Sequence, residues 1–225
     1  MEAGTAYGGP VVTATVAVAG RKVRLVRPAD PDRLLDDPDV IDWNRRDDYM
    51  PYWAYLWPGA LLLADAVALE PWVAGTPALE IGCGLGLAGL VGVSLGLRVT
   101  FSDYDPAPLD FVARSAAANG FGPDRYDTRR LDWRDPPGDR RLPVILGADV
   151  LYERRLVPEV ADLLATMLET GGLALVAGPF RAAGEGFPDA VRARGLACES
   201  LAVAAEGTEL GTLRGTLHRV RRPRT

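Results

Sequence analysis

The most chemically suggestive stretch of the chain is LEIGCGLGLAG at residues 79–89. It combines one acidic side chain, Glu80, with four glycines in eleven positions, directly after an apolar run. Gly82, Gly84 and Gly86 can adopt positive φ angles and let a ligand lie against bare backbone. The stretch therefore predicts a strand, a glycine-rich turn and a helix N-terminus that cradle a nucleotide cofactor. A tight turn without any ligand is the alternative.

Two classes of cofactor fit this spacing. Residues 84–89 match the dinucleotide pattern G-x-G-x-x-G, and residues 80–86 match the E/D-x-G-x-G-x-G pattern of S-adenosylmethionine enzymes. A dinucleotide site places its first glycine at the strand end, which here is Gly82 rather than Gly84. Glu80, expected at the mouth of the turn, would repel a pyrophosphate and attract a sulfonium. The sequence therefore favours S-adenosyl-L-methionine, with S-adenosyl-L-homocysteine as the product.

Two further acids follow predicted strands. Asp103 lies 21 residues beyond Gly82 at the end of the second strand, where a carboxylate can accept both ribose hydroxyls. An N-cap before Pro106 is the alternative role for Asp103. Asp132 ends the predicted third strand, in LDW, and could accept a hydrogen bond from the adenine amino group, with Trp133 or neighbouring apolar residues against the ring. A plain loop-start aspartate is the alternative there.

The elements that must position these residues alternate between strand and helix from Pro77 onward. Apolar strands such as ALEI and LPVILGA are followed by apolar residues at helical spacing. We therefore predict an α/β fold: a Rossmann-like, doubly wound, seven-stranded and mostly parallel sheet with an antiparallel final hairpin. We expect helices over residues 153–169 and 184–194.

The first 50 residues differ in character from the rest. Residues 1–10 predict a loose tail without a secretory signal, and residues 11–28 predict a short N-terminal β-hairpin. A proline- and aspartate-rich loop with at most one helical turn follows. We therefore divide the chain into an N-terminal segment, residues 1–50, and a cofactor-binding domain, residues 51–225.

Composition excludes several classes of function. Apolar residues make up 48% of the 225-residue chain and the formal net charge is −5. Such a charge gives no electrostatic support for nucleic-acid binding. The longest uncharged stretch is interrupted by glycines, which argues against a membrane span, and no Cys or His spacing predicts a metal site. We expect a cytoplasmic protein with no membrane or nucleic-acid partner; the RRPRT terminus predicts a solvated tail.

Several pieces between Trp53 and Arg181 together resemble a known family. The pieces are YWAYLWPGALLLA, LEIGCGLGLAG, VTFSDYD, AAANG, LDW and GADVLY. The glycine motif alone indicates only the cofactor class. Its combination with a W-P-G turn before an apolar helix, and with D-x-x-Y after the fourth strand, resembles the seven-β-strand (class I) methyltransferases of the methyltransferase-16 family. That family includes protein lysine methyltransferases.

The resemblance implies roles for further residues. The family's D-x-x-Y matches Asp149 and Tyr152, which become the predicted catalytic residues, and Trp57 matches the tryptophan that walls the cofactor. Ala148 precedes Asp149 and is expected beside the cofactor. The sequence supports the role of Asp149 independently, because a carboxylate after a buried strand is costly unless it is paired or faces a cleft. An N-cap for the helix that follows is the alternative role for Asp149.

The function implied is N-methylation of a lysine side chain in a protein substrate. Asp149 is expected to orient the amine rather than to act as a simple general base. A small-molecule N- or O-methyltransferase stays open as the alternative. A non-catalytic cofactor-binding module and a dinucleotide oxidoreductase are less favoured.

Overall fold

A computed structural model describes residues 7–138, 140–208 and 211–224 of the chain, with the side chains of residues 207–208 left out. Two strands, β1 (Val11–Val18) and β2 (Arg21–Pro28), form an antiparallel hairpin. The remaining strands are β3 (Pro77–Ile81), β4 (Arg98–Asp103), β5 (Tyr126–Arg130), β6 (Leu142–Ala148), β7 (Leu168–Pro179), β8 (Ala197–Thr208) and β9 (Gly211–Arg221).

Six α-helices connect or cover these strands in the described residues. They are α1 (Pro38–Asp47), α2 (Pro58–Leu69), α3 (Leu87–Ser94), α4 (Pro106–Ala118), α5 (Leu156–Met167) and α6 (Phe187–Arg192). Short 3-10 turns lie at Pro31–Asp36, Tyr52–Ala54 and Ala182–Gly184. None of these helices is long and apolar enough to cross a bilayer.

The large sheet has the strand order β5-β4-β3-β6-β7-β9-β8. The first five strands in that order are parallel, whereas β9 runs antiparallel to both β7 and β8. This confirms the predicted seven-stranded, mostly parallel sheet with an antiparallel final hairpin. The chain reverses direction across the sheet between β3 and β6, and ligands of such sheets bind beyond the carboxyl ends of the strands at that point.

Alternating side chains of the strands pack into two apolar layers. Leu79 and Ile81 of β3 join the layer beneath α5 and α6, whereas Ala78 joins the layer beneath α2 and α3. Because side chains alternate along a strand, Glu80 must face the α3 side. The strand therefore places its one carboxyl group under a helix rather than in solvent.

The N-terminal hairpin is present as predicted and packs against helices of the main domain. Val26 donates its N–H to Ser115 Oγ at 2.8 Å, and the Asn119 side chain exchanges hydrogen bonds with the backbone of Arg24. Val16 and Leu25 belong to the same apolar core as α2 and α3. The hairpin thus shares the apolar core of the domain that follows it. The predicted boundary at residue 50 stays a prediction.

Several boundaries differ from the sequence expectations. Residues 38–47 form α1 instead of a loop, because Pro38 opens the helix and Asp37 accepts a hydrogen bond from Asp39 N–H at its start. α5 and α6 are shorter than the predicted helices, and β5 ends before Asp132. Most of the tail and signal predictions fall on residues 1–6, which lie outside the described residues. The predicted start of the last strand at Leu210 and the final residue of the RRPRT tail, Thr225, also lie outside them.

Candidate functional site

The glycine-rich turn after β3 has the backbone conformation that the sequence predicts. Gly82, Gly84 and Gly86 have φ angles of 54°, 49° and 72°. A Cβ on Gly82 would lie 2.6 Å from the Trp133 ring. Only glycine satisfies both the left-handed conformation and this close approach. The turn therefore exposes bare backbone at the carboxyl end of β3.

Glu80 does not lie where the sequence prediction placed it. Its side chain is 1% exposed, and Oε2 accepts a hydrogen bond from Gly89 N–H at 3.1 Å. Gly89 lies in the first turn of α3, whose N-cap residue, Gly86, has no side chain to offer. Glu80 thus supplies a missing helix cap from a neighbouring strand.

The negative charge predicted for Glu80 is also wrong, because the side chain is buried. Burial raises the pKa of the Glu80 carboxyl to about 8, although the Gly89 hydrogen bond opposes the shift. At pH 7 the group is mainly protonated and neutral. An exposed negative lip that repels phosphate and attracts a sulfonium is therefore wrong, and the choice between cofactors must rest on other groups.

Asp103 lies at the end of β4 and faces the glycine turn. Its Oδ2 accepts from Gly84 N–H at 3.0 Å, and its Oδ1 accepts from Asp105 N–H at 3.3 Å. Burial raises the pKa of Asp103 to about 7. The capping role that competed for Asp103 belongs to Asp105, which accepts from Ala107 N–H at the start of α4. Asp103 is thus left as a partly ionised acceptor beside the turn.

Asp132 and Trp133 lie in the turn that follows β5, and both line the same cavity as Asp103. Asp132 accepts hydrogen bonds from Arg134, which also bridges to Asp47 of α1 and lies 5.0 Å from the Tyr104 ring centroid. The Arg134 hydrogen bonds lower the pKa of Asp132 despite partial burial. The carboxylate predicted for adenine therefore already has a cationic partner, which the sequence analysis missed.

Asp149 follows β6 directly and has an unusual backbone conformation, with a φ of 54°. Its Oδ2 accepts from Gly59 N–H at 2.5 Å. Gly59 is the second residue of α2, whose N-cap residue, Trp57, offers no side-chain hydrogen bond. A Cβ on Gly59 would collide with this carboxylate oxygen. Asp149 therefore caps α2, and not the helix that follows it in sequence.

The second oxygen of Asp149 has a cationic partner. Arg181 Nη2 lies 3.2 Å from Asp149 Oδ1, and the Arg181 guanidinium lies 6.0 Å from the Trp57 ring centroid. Burial raises the pKa of Asp149, while Gly59 N–H and Arg181 oppose the shift. Arg181 was not predicted, although it comes two residues after the end of β7. A cation at the carboxyl end of a parallel strand is as much a candidate as the acids.

Aromatic side chains form one wall of the site. Tyr52 makes edge-to-face contacts with Trp57 at 5.8 Å and with Tyr152 at 5.5 Å between ring centroids. Trp57 Nε1 donates to Tyr52 O at 2.6 Å. Burial raises the pKa of Tyr152 to about 12, so its hydroxyl stays protonated at neutral pH. The wall offers ring faces and a neutral donor.

These groups surround a cavity of about 410 Å³ at the carboxyl ends of β3, β4 and β6. Most of the predicted site residues line it: Trp57, Gly82, Asp103, Asp132, Trp133, Ala148, Asp149 and Tyr152. Glu80, Gly84 and Gly86 shape the turn behind the lining. Asp47, Asp48 and Tyr49, from α1 and the turn after it, close another side. Asp47 and Asp48 were not predicted there, because their segment was expected to be a loop.

The cavity suits an adenosine-containing cofactor. Its volume is in the range of small-molecule sites, and the Gly82 backbone and the Asp103 carboxylate face it together. Within the described residues, Trp133 Nε1 is the buried side-chain polar atom that lacks a partner. Such an atom next to a cavity is commonly satisfied by a ligand or water. The described residues hold no cluster of three or more His, Cys, Asp or Glu side chains that suits a metal.

Comparison with solved structures agrees with this architecture. The chain aligns with a methyltransferase from Pyrococcus furiosus at a TM-score of 0.57 and 16% identity, over 72% of this chain and 83% of that one. At this identity the likeness concerns the fold alone. The strand order and the glycine turn at its switch point define the Rossmann-like (class I) methyltransferase fold.

Sequence comparison gives the family. A family model described as lysine methyltransferase matches residues 60–185, more than half of the chain. The chain therefore belongs to the lysine methyltransferase family. It is 34% identical over 125 residues to Protein N-lysine methyltransferase METTL21A of Mus musculus, covering 51% of this chain and 53% of that protein.

A second relative is named for a different acceptor residue. The chain is 26% identical over 148 residues to Histidine protein methyltransferase 1 homolog of Dictyostelium discoideum, covering 64% of this chain and 46% of that protein. The chain thus spans about half the length of the curated relatives it matches.

Proposed function

We propose that the protein is an S-adenosyl-L-methionine-dependent methyltransferase that N-methylates a lysine side chain of a protein substrate. One observation carries the proposal: the glycine turn, Asp103 and Asp149 surround a single cavity at the switch point of the sheet. The names of the relatives support a protein acceptor, and the family supports lysine.

The residues that hold the cofactor have separable roles. The Asp103 carboxylate is placed to accept the ribose hydroxyls, because each carboxylate oxygen can accept more than the one backbone hydrogen bond that it already has. Trp133 and Asp132 would hold the adenine, and Trp57 and Ala148, which line the same cavity, would contact the rest of the cofactor. When bound, the cofactor supplies a methyl carbon that an amine lone pair attacks, while the carbon–sulfur electron pair leaves with S-adenosyl-L-homocysteine.

Asp149 and the aromatic wall act on the acceptor. An amine must lose its proton to water before its lone pair is available, and an ionised Asp149 beside it opposes that loss by stabilising the ammonium form. Burial, which raises the pKa of Asp149, lessens this opposition. Asp149 Oδ1 orients the amine by a hydrogen bond, since Oδ2 is committed to Gly59 N–H. The faces of Trp57 and Tyr152 exclude water and stabilise a cation by about 0.5–2 kcal/mol. Positioning therefore accounts for much of the expected rate.

The test uses the acceptors present in the source cell. Lysate is incubated with the purified protein and methyl-labelled S-adenosyl-L-methionine, and labelled peptides are located by mass spectrometry. We expect label on a lysine of one or a few proteins, and none with Asp103→Asn at low cofactor concentration. Absence of label together with absence of S-adenosyl-L-homocysteine binding would refute the proposal. Label confined to small molecules would favour the metabolite alternative. The cytoplasmic location stays a prediction.

A further inference from the structure

A second cavity, of about 470 Å³, is lined by Asp149 but by none of the glycines of the turn after β3. It is at the carboxyl end of β7, and its lining includes Glu185, Ser200, Thr216 and His218. Asp149 and Arg181 line both this cavity and the one assigned to the cofactor. The ion pair between these two side chains therefore lies where the two cavities adjoin.

The groups around the Arg181 guanidinium are those that an alkylammonium group would use. Asp149 Oδ1 lies 3.2 Å from Arg181 Nη2, and the Trp57 ring lies 6.0 Å from the guanidinium carbon. A carboxylate oxygen and an aromatic face within about 6 Å are the partners that bind ammonium ions in proteins. The chain's own cation thus occupies a position suited to the acceptor of the proposed reaction.

We propose that Arg181 holds the place of the acceptor ammonium group, and that an acceptor amine reaches Asp149 from the second cavity by displacing Arg181. The proposal rests on the proposed function and adds to it the route and the binding step of the acceptor. Arg181 is a specificity-determining residue in this scheme, because only a group that competes for Asp149 Oδ1 gains entry.

The contacts of Arg181 allow this exchange. Asp149 Oδ2 is held by Gly59 N–H, so displacement frees only Oδ1 and leaves the carboxylate in place. The Arg181 side chain is 34% exposed and can move into solvent, whereas the Asp149 side chain is only 10% exposed. Because a buried carboxylate without a partner is costly, an incoming ammonium group that replaces the guanidinium keeps Asp149 paired. Glu185 lies four residues further along the chain and lines the same cavity, so the released guanidinium has an acidic neighbour.

The opposite role for Arg181 makes a contrary prediction. If the guanidinium recruited a carboxylate of the acceptor, removing it would weaken binding of anions. If it holds the place of an ammonium group, removing it would strengthen binding of cations. The sign of the effect on two small probes therefore decides between the two roles.

The probes are n-butylammonium, which reproduces the end of a lysine side chain, and butyrate. Their dissociation constants are measured by NMR titration with the S-adenosyl-L-homocysteine complexes of the wild type, Arg181→Met and Arg192→Met. Arg192 is the matched control, since it pairs with Asp189 outside both cavities. We expect Arg181→Met to bind n-butylammonium about tenfold more tightly, equivalent to about 1.4 kcal/mol, and Arg192→Met to match the wild type.

Equal or weaker n-butylammonium binding by Arg181→Met would overturn the inference, as would tight butyrate binding by the wild type that this variant loses. Arg181→Gln is tested in the same way if the methionine variant does not fold. Binding of S-adenosyl-L-homocysteine is measured first on every variant. Its absence in the wild type would refute the proposed function, whereas its presence without the gain for n-butylammonium would refute only the role of Arg181.

Discussion

Glu80 gives a sharp test of the electrostatics of the site, because its buried carboxyl has a pKa of about 8 against an ordinary value of 4.5. The folded protein keeps this proton at pH values where the unfolded chain has lost it. The raised pKa therefore contributes stability that is fully present below about pH 4.5 and is lost as the pH rises toward 8. Each pH unit inside this window lowers the free energy of unfolding by up to about 1.4 kcal/mol. Between pH 5.5 and 7.5, Glu80 should account for a loss of about 2 kcal/mol.

The substitution Glu80→Gln removes the titration but keeps an oxygen that can accept from Gly89 N–H. Urea denaturation followed by circular dichroism, at pH 5.5 and 7.5, gives the free energy of unfolding of both proteins. We expect the wild type to lose about 2 kcal/mol more than the variant over this interval. Glu199→Gln, at an exposed position of β8, is the control and should behave as the wild type. Parallel changes with pH in the wild type and Glu80→Gln would show that Glu80 is ionised and the reasoning wrong.

Three further outcomes follow from the same geometry. Burial raises the pKa of Asp103 to about 7, so the affinity for S-adenosyl-L-homocysteine, measured by calorimetry, should rise roughly tenfold from pH 6 to 8. Asp103→Asn should bind weakly and without that rise. A rise that survives the substitution would contradict the ribose role of Asp103. Gly59→Ala should lower the free energy of unfolding by about 1–3 kcal/mol in urea, whereas Gly186→Ala, whose methyl meets nothing within 4 Å, should change it little; equal effects would count against the helix cap. Ser115→Ala should cost about 1 kcal/mol and speed hydrogen exchange at the Val26 amide, which otherwise donates to its hydroxyl, and unchanged exchange would disprove this anchoring of the hairpin.

Local backbone requirements made much of the site predictable. Gly82, Gly84 and Gly86 have no Cβ, so their spacing after an apolar run indicates left-handed turns before any coordinates are known. The place of Asp103 at the end of the second strand predicts a ribose acceptor, and Asp149 is predicted because an acid after a buried strand needs a cleft or a partner. Such inferences depend on a residue and its near neighbours along the chain, and the sheet topology follows from the alternation of strands and helices.

Contacts between distant segments were not predictable in this way. The pattern of β3 gives the face on which Glu80 lies, but not that the first turn of α3 covers it and supplies Gly89 N–H. Arg134 and Arg181 were missed because an arginine reveals its partner only when another element is brought beside it. α1 was missed because its proline and its aspartates are typical of loops, although Asp37 and Pro38 are also helix-start residues.

The hydrogen bond between Gly59 and Asp149 joins positions 90 residues apart in the chain. The W-P-G turn and the D-x-x-Y segment therefore constrain each other, because any side chain at position 59 would occupy the space of the Asp149 carboxylate. Across related genes the two positions should change together, so that chains without this aspartate tolerate larger residues in the turn. A survey of paired substitutions at these two positions would therefore report on the contact between them.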